Sequence, residues 1–98
     1  MRIAEVIGKV TLSRAHPTLQ GLRWVIGVPH SLEALRKDEG GDREDVVIVD
    51  QMGAGVGDLI SFSEGVEGAA PFFPEKKPID AYCACILDSV TVLSSHEF

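Results

Sequence analysis

The chain is short of aromatic residues, cysteine and clustered positive charge, and each shortage removes a class of function. One Trp, one Tyr and four Phe make a poor stacking platform for successive bases of a single strand. Nine Lys and Arg stand against fifteen Asp and Glu, a net charge of −6, and the only adjacent basic pairs are Arg36-Lys37 and Lys76-Lys77. A phosphate backbone is held by clustered cations that displace counterions, so nucleic-acid binding is disfavoured. Anionic membrane surfaces are disfavoured for the same reason. No apolar run approaches the ~20 residues that span a bilayer. The opening "MRIAEVIGKV" lacks the apolar core and small-residue cleavage site of a secretory signal. The chain reads as soluble and cytoplasmic.

Reactive constellations are equally scarce. Cys83 and Cys85 in "AYCACIL" match neither a zinc knuckle nor a redox Cys-x-x-Cys, and read as two small buried hydrophobes. His16, His30 and His96 are isolated, with no second ligand at i+2 or i+4. Ser13, Ser61, Ser63 and Ser89 have no nucleophile-elbow pattern around them. Asp80 and Asp88 share a strand face but stand about 26 Å apart along it, too far for one reaction centre. No metal, cofactor or catalytic residue is expected, and an enzyme is disfavoured.

What remains is an ordinary globular composition, 45% hydrophobic over 98 residues, enough for one domain with a modest core. Residues 3–12 alternate, with Ala4, Val6, Gly8, Val10 and Leu12 on one face, the mark of a half-buried strand. "LRWVIGV" predicts a second strand with Leu22, Trp24, Ile26 and Val28 sharing a face and Trp24 in the core. After it, Ser31 is placed to cap a short helix through "LEALRKDEG", the alternative being a charged hairpin loop. "DVVIVD" and "DLISFS" predict strands three and four. Between Gly65 and Pro78, Pro71, Pro74 and Pro78 argue for irregular chain. The last strand falls within Ile79 to Leu93, with Ala81, Cys83, Cys85 and Leu87 forming a small-residue face suited to a cramped barrel interior. The fold class is all-β, a small five-stranded OB-like barrel with short irregular or helical insertions. It occupies residues 1–93, with 94–98 as a C-terminal tail.

The segment "VVIVDQMGAGVGDLISFSEG" joins strands three and four. Gly53, Gly55 and Gly57 do not have the G-x-G-x-x-G spacing of a dinucleotide site, and a strand rather than a helix follows them. The cluster reads instead as a sharp strand-to-strand corner, with Asp50 bonding the loop's backbone amides. A positive φ at Gly55 would make Gly55→Val a substitution that weakens assembly.

"MRIAEVIGKV", "HPTLQG", "VDQMGAGVGD" and "PIDAYCACILDSV" occur in the order and at the approximate spacing of the EutN/CcmL family, the vertex proteins of bacterial microcompartment shells. The resemblance covers nearly the whole chain. It implies an OB-like barrel that assembles as a cyclic homopentamer, caps fivefold shell vertices and meets hexameric shell proteins. It also implies Asp50, Gly53, Ala54, Gly55, Gly57 and Asp80 as subunit-interface or axial-loop residues. The chain departs from its relatives in two places. "EGVEGAAPFFPEKK" lacks the arginine of a Gly-Ser-Ala-Ala-Arg-like segment and carries Phe72-Phe73 instead, a shell or subunit contact unless one ring only covers the barrel's open end. The polar stretch from Ser31 to Glu44 is also longer than in compact relatives. The competing reading is an OB-type module that binds a single-stranded nucleic acid or a sugar.

Overall fold

The computed structural model describes residues 1–32, 35, 44–74 and 77–92. Five strands form a closed barrel: β1 (Arg2–Val10), β2 (Trp24–Pro29), β3 (Val46–Val49), β4 (Leu59–Glu64) and β5 (Ala81–Leu87). Their order around the barrel is β1-β2-β3-β5-β4, with β4 pairing back onto β1. All neighbours are antiparallel except β3 and β5, whose parallel seam is registered at Val49 and Tyr82. Closure removes the free edges on which open sheets aggregate, and the all-β, five-stranded expectation holds. No helix among the described residues is long and apolar enough to cross a membrane.

The core is small: Ala4, Val6, Val25, Ile48, Ala54, Ile60, Phe62, Ala81 and Cys83. Two bulges decide which residues reach it. Val6 pairs with Gly27 but Gly8 pairs with Ile26, so Ile7 is extra and the strand reverses its faces there. Gly8 and Val10 are therefore only half-buried, and Leu12, expected on the same inner face, lies beyond the strand at 41% exposed. On β5, Ser61 pairs with Cys85 while Phe62 pairs with Cys83, leaving Ala84 unmatched. The small-residue face is thus broken: Ala81 and Cys83 are buried, whereas Cys85 is half-buried, its Sγ 2.8 Å from Ser61 Oγ.

The second strand corrects a larger expectation. Its inward residues are Val25, Gly27 and Pro29, and Trp24, Ile26 and Val28 face outward, half-buried. The interior dictates this choice. A Cβ on Gly27 would come 2.8 Å from Ile48 Cδ1 and 3.1 Å from Ala4 Cβ, so the barrel is tight there and this face of the strand has no space for an indole. Leu22 precedes the strand, in the segment that follows the 3-10 turn Pro17–Leu19.

The connections are brief. Leu35 N–H donates to the Ser31 carbonyl at 3.1 Å, one helical turn, and the rest of the helix expected after Ser31 lies outside the described residues, as does the tail 94–98. The stretch expected to be irregular holds a single helical turn, α1 (Val66–Ala69), followed by a 3-10 turn at Ala70–Phe72. Glycines allow both the entry to this turn and its packing. Gly65 takes φ +67°, and a Cβ on Gly68 would lie 2.6 Å from the Asp80 carbonyl oxygen and 3.1 Å from that of Ser63. Both obstacles are backbone and cannot rotate aside. Gly68→Ala is expected to cost about 1–3 kcal/mol of folding stability, as overpacking does, read as a lower urea midpoint with an unchanged slope.

Candidate functional site

The loop from Asp50 to Asp58 is built around one buried carboxylate. Asp50 is 1% exposed, and its own N–H donates to the Arg23 carbonyl at 2.9 Å. Oδ1 accepts the Met52 N–H and Oδ2 the Ala54 N–H, each at 2.8 Å. Arg23 supplies countercharge, with Nε 3.7 Å from Oδ2, and its Nη2 donates to the Ala54 carbonyl at 2.6 Å. A buried carboxylate is tolerable where amides and a cation satisfy it in this way.

Beyond Ala54 the chain turns through a second carboxylate. Asp58 Oδ2 accepts the Gly55 N–H at 2.8 Å. Gly57 N–H donates to the Val6 carbonyl, and Val6 N–H donates to the Asp58 carbonyl, which pins the loop to β1. The amides of Met52, Ala54, Gly55 and Gly57 are all donated within the chain. A phosphate would have to displace these acceptors, so the corner is no anion cradle. Positive φ occurs at Gly53 (+87°) and Gly57 (+95°) and not at Gly55, where a Cβ would meet only Asp58 Oδ2 at 3.8 Å. The φ argument for Gly55→Val therefore moves to Gly53 and Gly57.

Of the residues singled out in the sequence, Asp50, Gly53, Ala54, Gly55 and Gly57 thus belong to one corner, with Asp50 and Ala54 buried inside it. Asp80 sits elsewhere, at the mouth of β5. Its carbonyl and its Oδ1 both accept the Gly65 N–H, at 2.8 and 3.2 Å. Tyr82 links the two regions, its hydroxyl donating to Gln51 Oε1 at 2.8 Å. Phe72 packs edge-on against Tyr82 with centroids 5.5 Å apart, and Lys77 Nζ lies 5.2 Å from the Phe72 centroid. Phe72 is therefore held, while Phe73 projects at 84% exposed.

The sequence reading missed the exterior of β2 and β3. Trp24, Ile26 and Val28 face outward; Trp24 pairs with Val10 on one side and Val49 on the other, and Ile26 with Gly8 and Val47. Val47 is 48% exposed, and Ile7, at the bulge, 47%. A free barrel normally places polar side chains on such a face, and this one is apolar. The signal was present in "RWVIGVP", which is apolar at both parities.

Residues 1–88 match the family described as ethanolamine utilisation protein EutN/carboxysome. The chain belongs to the EutN/CcmL family. It is 33% identical over 94 residues to the carboxysome shell vertex protein CcmL of Synechococcus elongatus, covering 94% of this chain and 88% of that one. Among solved structures it superposes on Gloeobacter violaceus CcmL with a TM-score of 0.82 at 26% identity, covering 96% and 92% of the two chains. The pentameric microcompartment shell protein GrpN of Rhodospirillum rubrum gives a TM-score of 0.78 at 25% identity, covering 94% of this chain and all of that one. This EutN/CcmL chain therefore stands in a family of structural shell proteins, not one of enzymes.

Two outcomes follow from the corner. Asp50→Ala leaves the Met52 and Ala54 amides without their acceptor beside Arg23, and is expected to lower stability by about 2–4 kcal/mol, measured by denaturant unfolding. Burial, followed by the negative charge of Asp50, pushes the Cys83 thiol up to about 12 from 9.0. The thiolate is the nucleophile, so at pH 8 Cys83 is expected to resist iodoacetamide in the folded protein and to react once urea unfolds it, as peptide mass mapping would read.

Proposed function

We propose that this chain assembles as a cyclic homopentamer that caps the fivefold vertices of a bacterial microcompartment shell in the cytoplasm, alongside hexameric shell proteins. The observation that carries the reading is the apolar exterior of β2 and β3, in a chain whose relatives include a pentameric shell protein. An outward Trp24, Ile26, Val28 and Val47 row gains by being covered, at roughly 25 cal/mol for each Å² removed from water.

The geometry of a shell gives the pentamer its use. Hexagonal tiles alone make a flat sheet, and closing it requires fivefold points. A ring of five closes through one heterologous contact repeated around the axis, so each subunit needs two unlike patches. The outer face of β2 and β3 is proposed as one of them. The glycine corner acts at one remove: buried Asp50 and Ala54 hold its shape, while Gly53 and Gly57 let it turn and present Met52 and Val56, 53% and 66% exposed. Phe73 is the proposed contact for a neighbouring subunit or a hexameric tile, in place of the arginine that this chain lacks. Asp80 supports that segment from beneath through Gly65.

Native mass spectrometry across a range of concentrations tests the assembly. Five copies of a 10.5 kDa chain give a species near ~52 kDa, as expected for a closed five-membered ring. Val47→Asp places a charge on a position already half in water, so the barrel should fold while assembly requires at least ~10-fold more protein, because the charge would be buried without a partner. A wild-type chain that stays monomeric throughout would overturn the proposal and favour the binding-module reading.

A further inference from the structure

The strand register defines a second outward face beside the apolar exterior of β2 and β3. Around the barrel, β1 is followed by β2 and β3 on one side and by β4 and β5 on the other. On the first side, Gly8, Ile26 and Val47 form one row of directly paired residues. On the other side, Glu5 pairs with Leu59 and Leu59 with Leu87, and in the next row Ile3 pairs with Ser61 and Ser61 with Cys85. The residues that alternate with these along β1 and β4, namely Ala4, Val6, Ile60 and Phe62, fill the core, so both rows point outward. Ile3, Leu59, Cys85 and Leu87 are half-buried. Glu5 is the one charged residue in these rows. Its side chain is 45% exposed, and no hydrogen bond holds its carboxylate among the described residues; His30 Nε2 lies 3.8 Å away. Lys9, next to Gly8, is exposed and has no carboxylate partner among the described residues.

A cyclic ring sets a condition on its two unlike patches. Each subunit touches a neighbour on either side, and the rotation keeps every subunit in the same sense about the axis. Both patches must therefore spread from a common line on the subunit. The two outward faces do so, because they diverge from β1. Placed against each other in the same sense, they bring β1 to β1, β2 to β4 and β3 to β5. Charge then selects the register. Setting the Glu5–Val28 row of one copy on the Glu5–Leu59–Leu87 row of the next puts two carboxylates directly opposite, which is destabilising. Moving one row along sets Gly8 opposite Glu5, Ile26 opposite Leu59 and Val47 opposite Leu87. Gly8 has no side chain to obstruct Glu5, and Lys9 beside it supplies the missing cation. We infer that the outer face of β4 and β5, edged by Glu5, is the second patch of the ring, and that it receives the Gly8–Ile26–Val47 row of a second copy with Lys9 of that copy beside Glu5. The inference rests on the pentamer reading and deepens it by naming the surface that the β2–β3 exterior covers. The aliphatic rows supply the burial, and the single ion pair at their edge fixes the register and the sense of the contact.

Val47→Cys with Leu87→Cys, in a Cys85→Ser background, tests the contact. Within one chain these positions lie on opposite sides of the registered pair Val49 and Tyr82 in the parallel seam. Val47 is two residues before that pair and Leu87 five after it, roughly 23 Å apart along the strands. No disulfide can close over that distance inside one subunit. Full-length protein that native mass spectrometry shows to be pentameric is oxidised with copper phenanthroline and run unreduced in SDS. A covalent ladder reaching five chains is expected, because a head-to-tail contact repeats around the ring. Pentamers that give no covalent species, or a ladder that stops at two chains, overturn the inference while the vertex reading stands. A second test needs no cysteine and stands alone where the cysteine pair blocks assembly. Glu5→Lys should leave the barrel's circular dichroism intact and raise the protein concentration needed for assembly at least ~10-fold, and adding Lys9→Glu should bring it back to within ~3-fold of wild type. A double reversal that assembles no better than Glu5→Lys alone also overturns the inference. A wild-type chain monomeric at every concentration removes the vertex reading itself.

Discussion

The buried carboxylate of Asp50 is the constraint on which the rest depends. It sits where β3 ends, beside the parallel seam that β3 makes with β5, and the chain must turn there at once to begin β4. Two amides and an arginine converge on its oxygens. Their geometry delivers Gly57 to Val6, so that the start of β4 is bonded to β1. Closure of a five-stranded barrel is a matter of register as much as of hydrophobicity. A carboxylate that specifies the corner thus also specifies the seam that completes the ring of strands.

A barrel this narrow distributes its side chains by size. Gly27 lies tightly between Ile48 and Ala4, and Ala4, Ala54, Ala81 and Cys83 share the interior with Val6, Val25, Ile48, Ile60 and Phe62. The larger apolar residues of β2 are consequently on the outside. The same steric limit that makes the core compact leaves Trp24, Ile26, Val28 and Val47 as a face in search of cover. In this account, packing inside one subunit and association between subunits are two results of one constraint.

Much of this was legible in the sequence, and the failures have physical causes. The five strands could be read because apolar alternation and glycine or proline punctuation agree over each of them. Asp50 was legible as the loop's anchor, because a carboxylate at a strand end before a glycine cluster has few other uses. The inner face of β2 was not legible: "WVIGVP" is apolar at both parities, and only the three-dimensional approach of Ile48 to Gly27 decides between them. The bulges at Ile7 and Ala84 were invisible for a related reason. An extra residue reverses the faces without any change in composition, so Leu12 and Cys85 were expected further inside than they are. Gly55 was a reasonable choice for a left-handed residue, but the corner takes its two positive φ angles at the flanking glycines. Arg23 went unnoticed as the partner of Asp50 because the 26 positions between them carry no local pattern.

The apolar exterior of β2 and β3 is proposed to be buried between copies around a fivefold axis. Electron-microscopic class averages of the purified full-length protein test it most directly. Rings with fivefold symmetry are expected, with the β2–β3 flank of each barrel against its neighbour. Rings whose β2–β3 flank faces solvent, or a field of isolated barrels at high concentration, would contradict it.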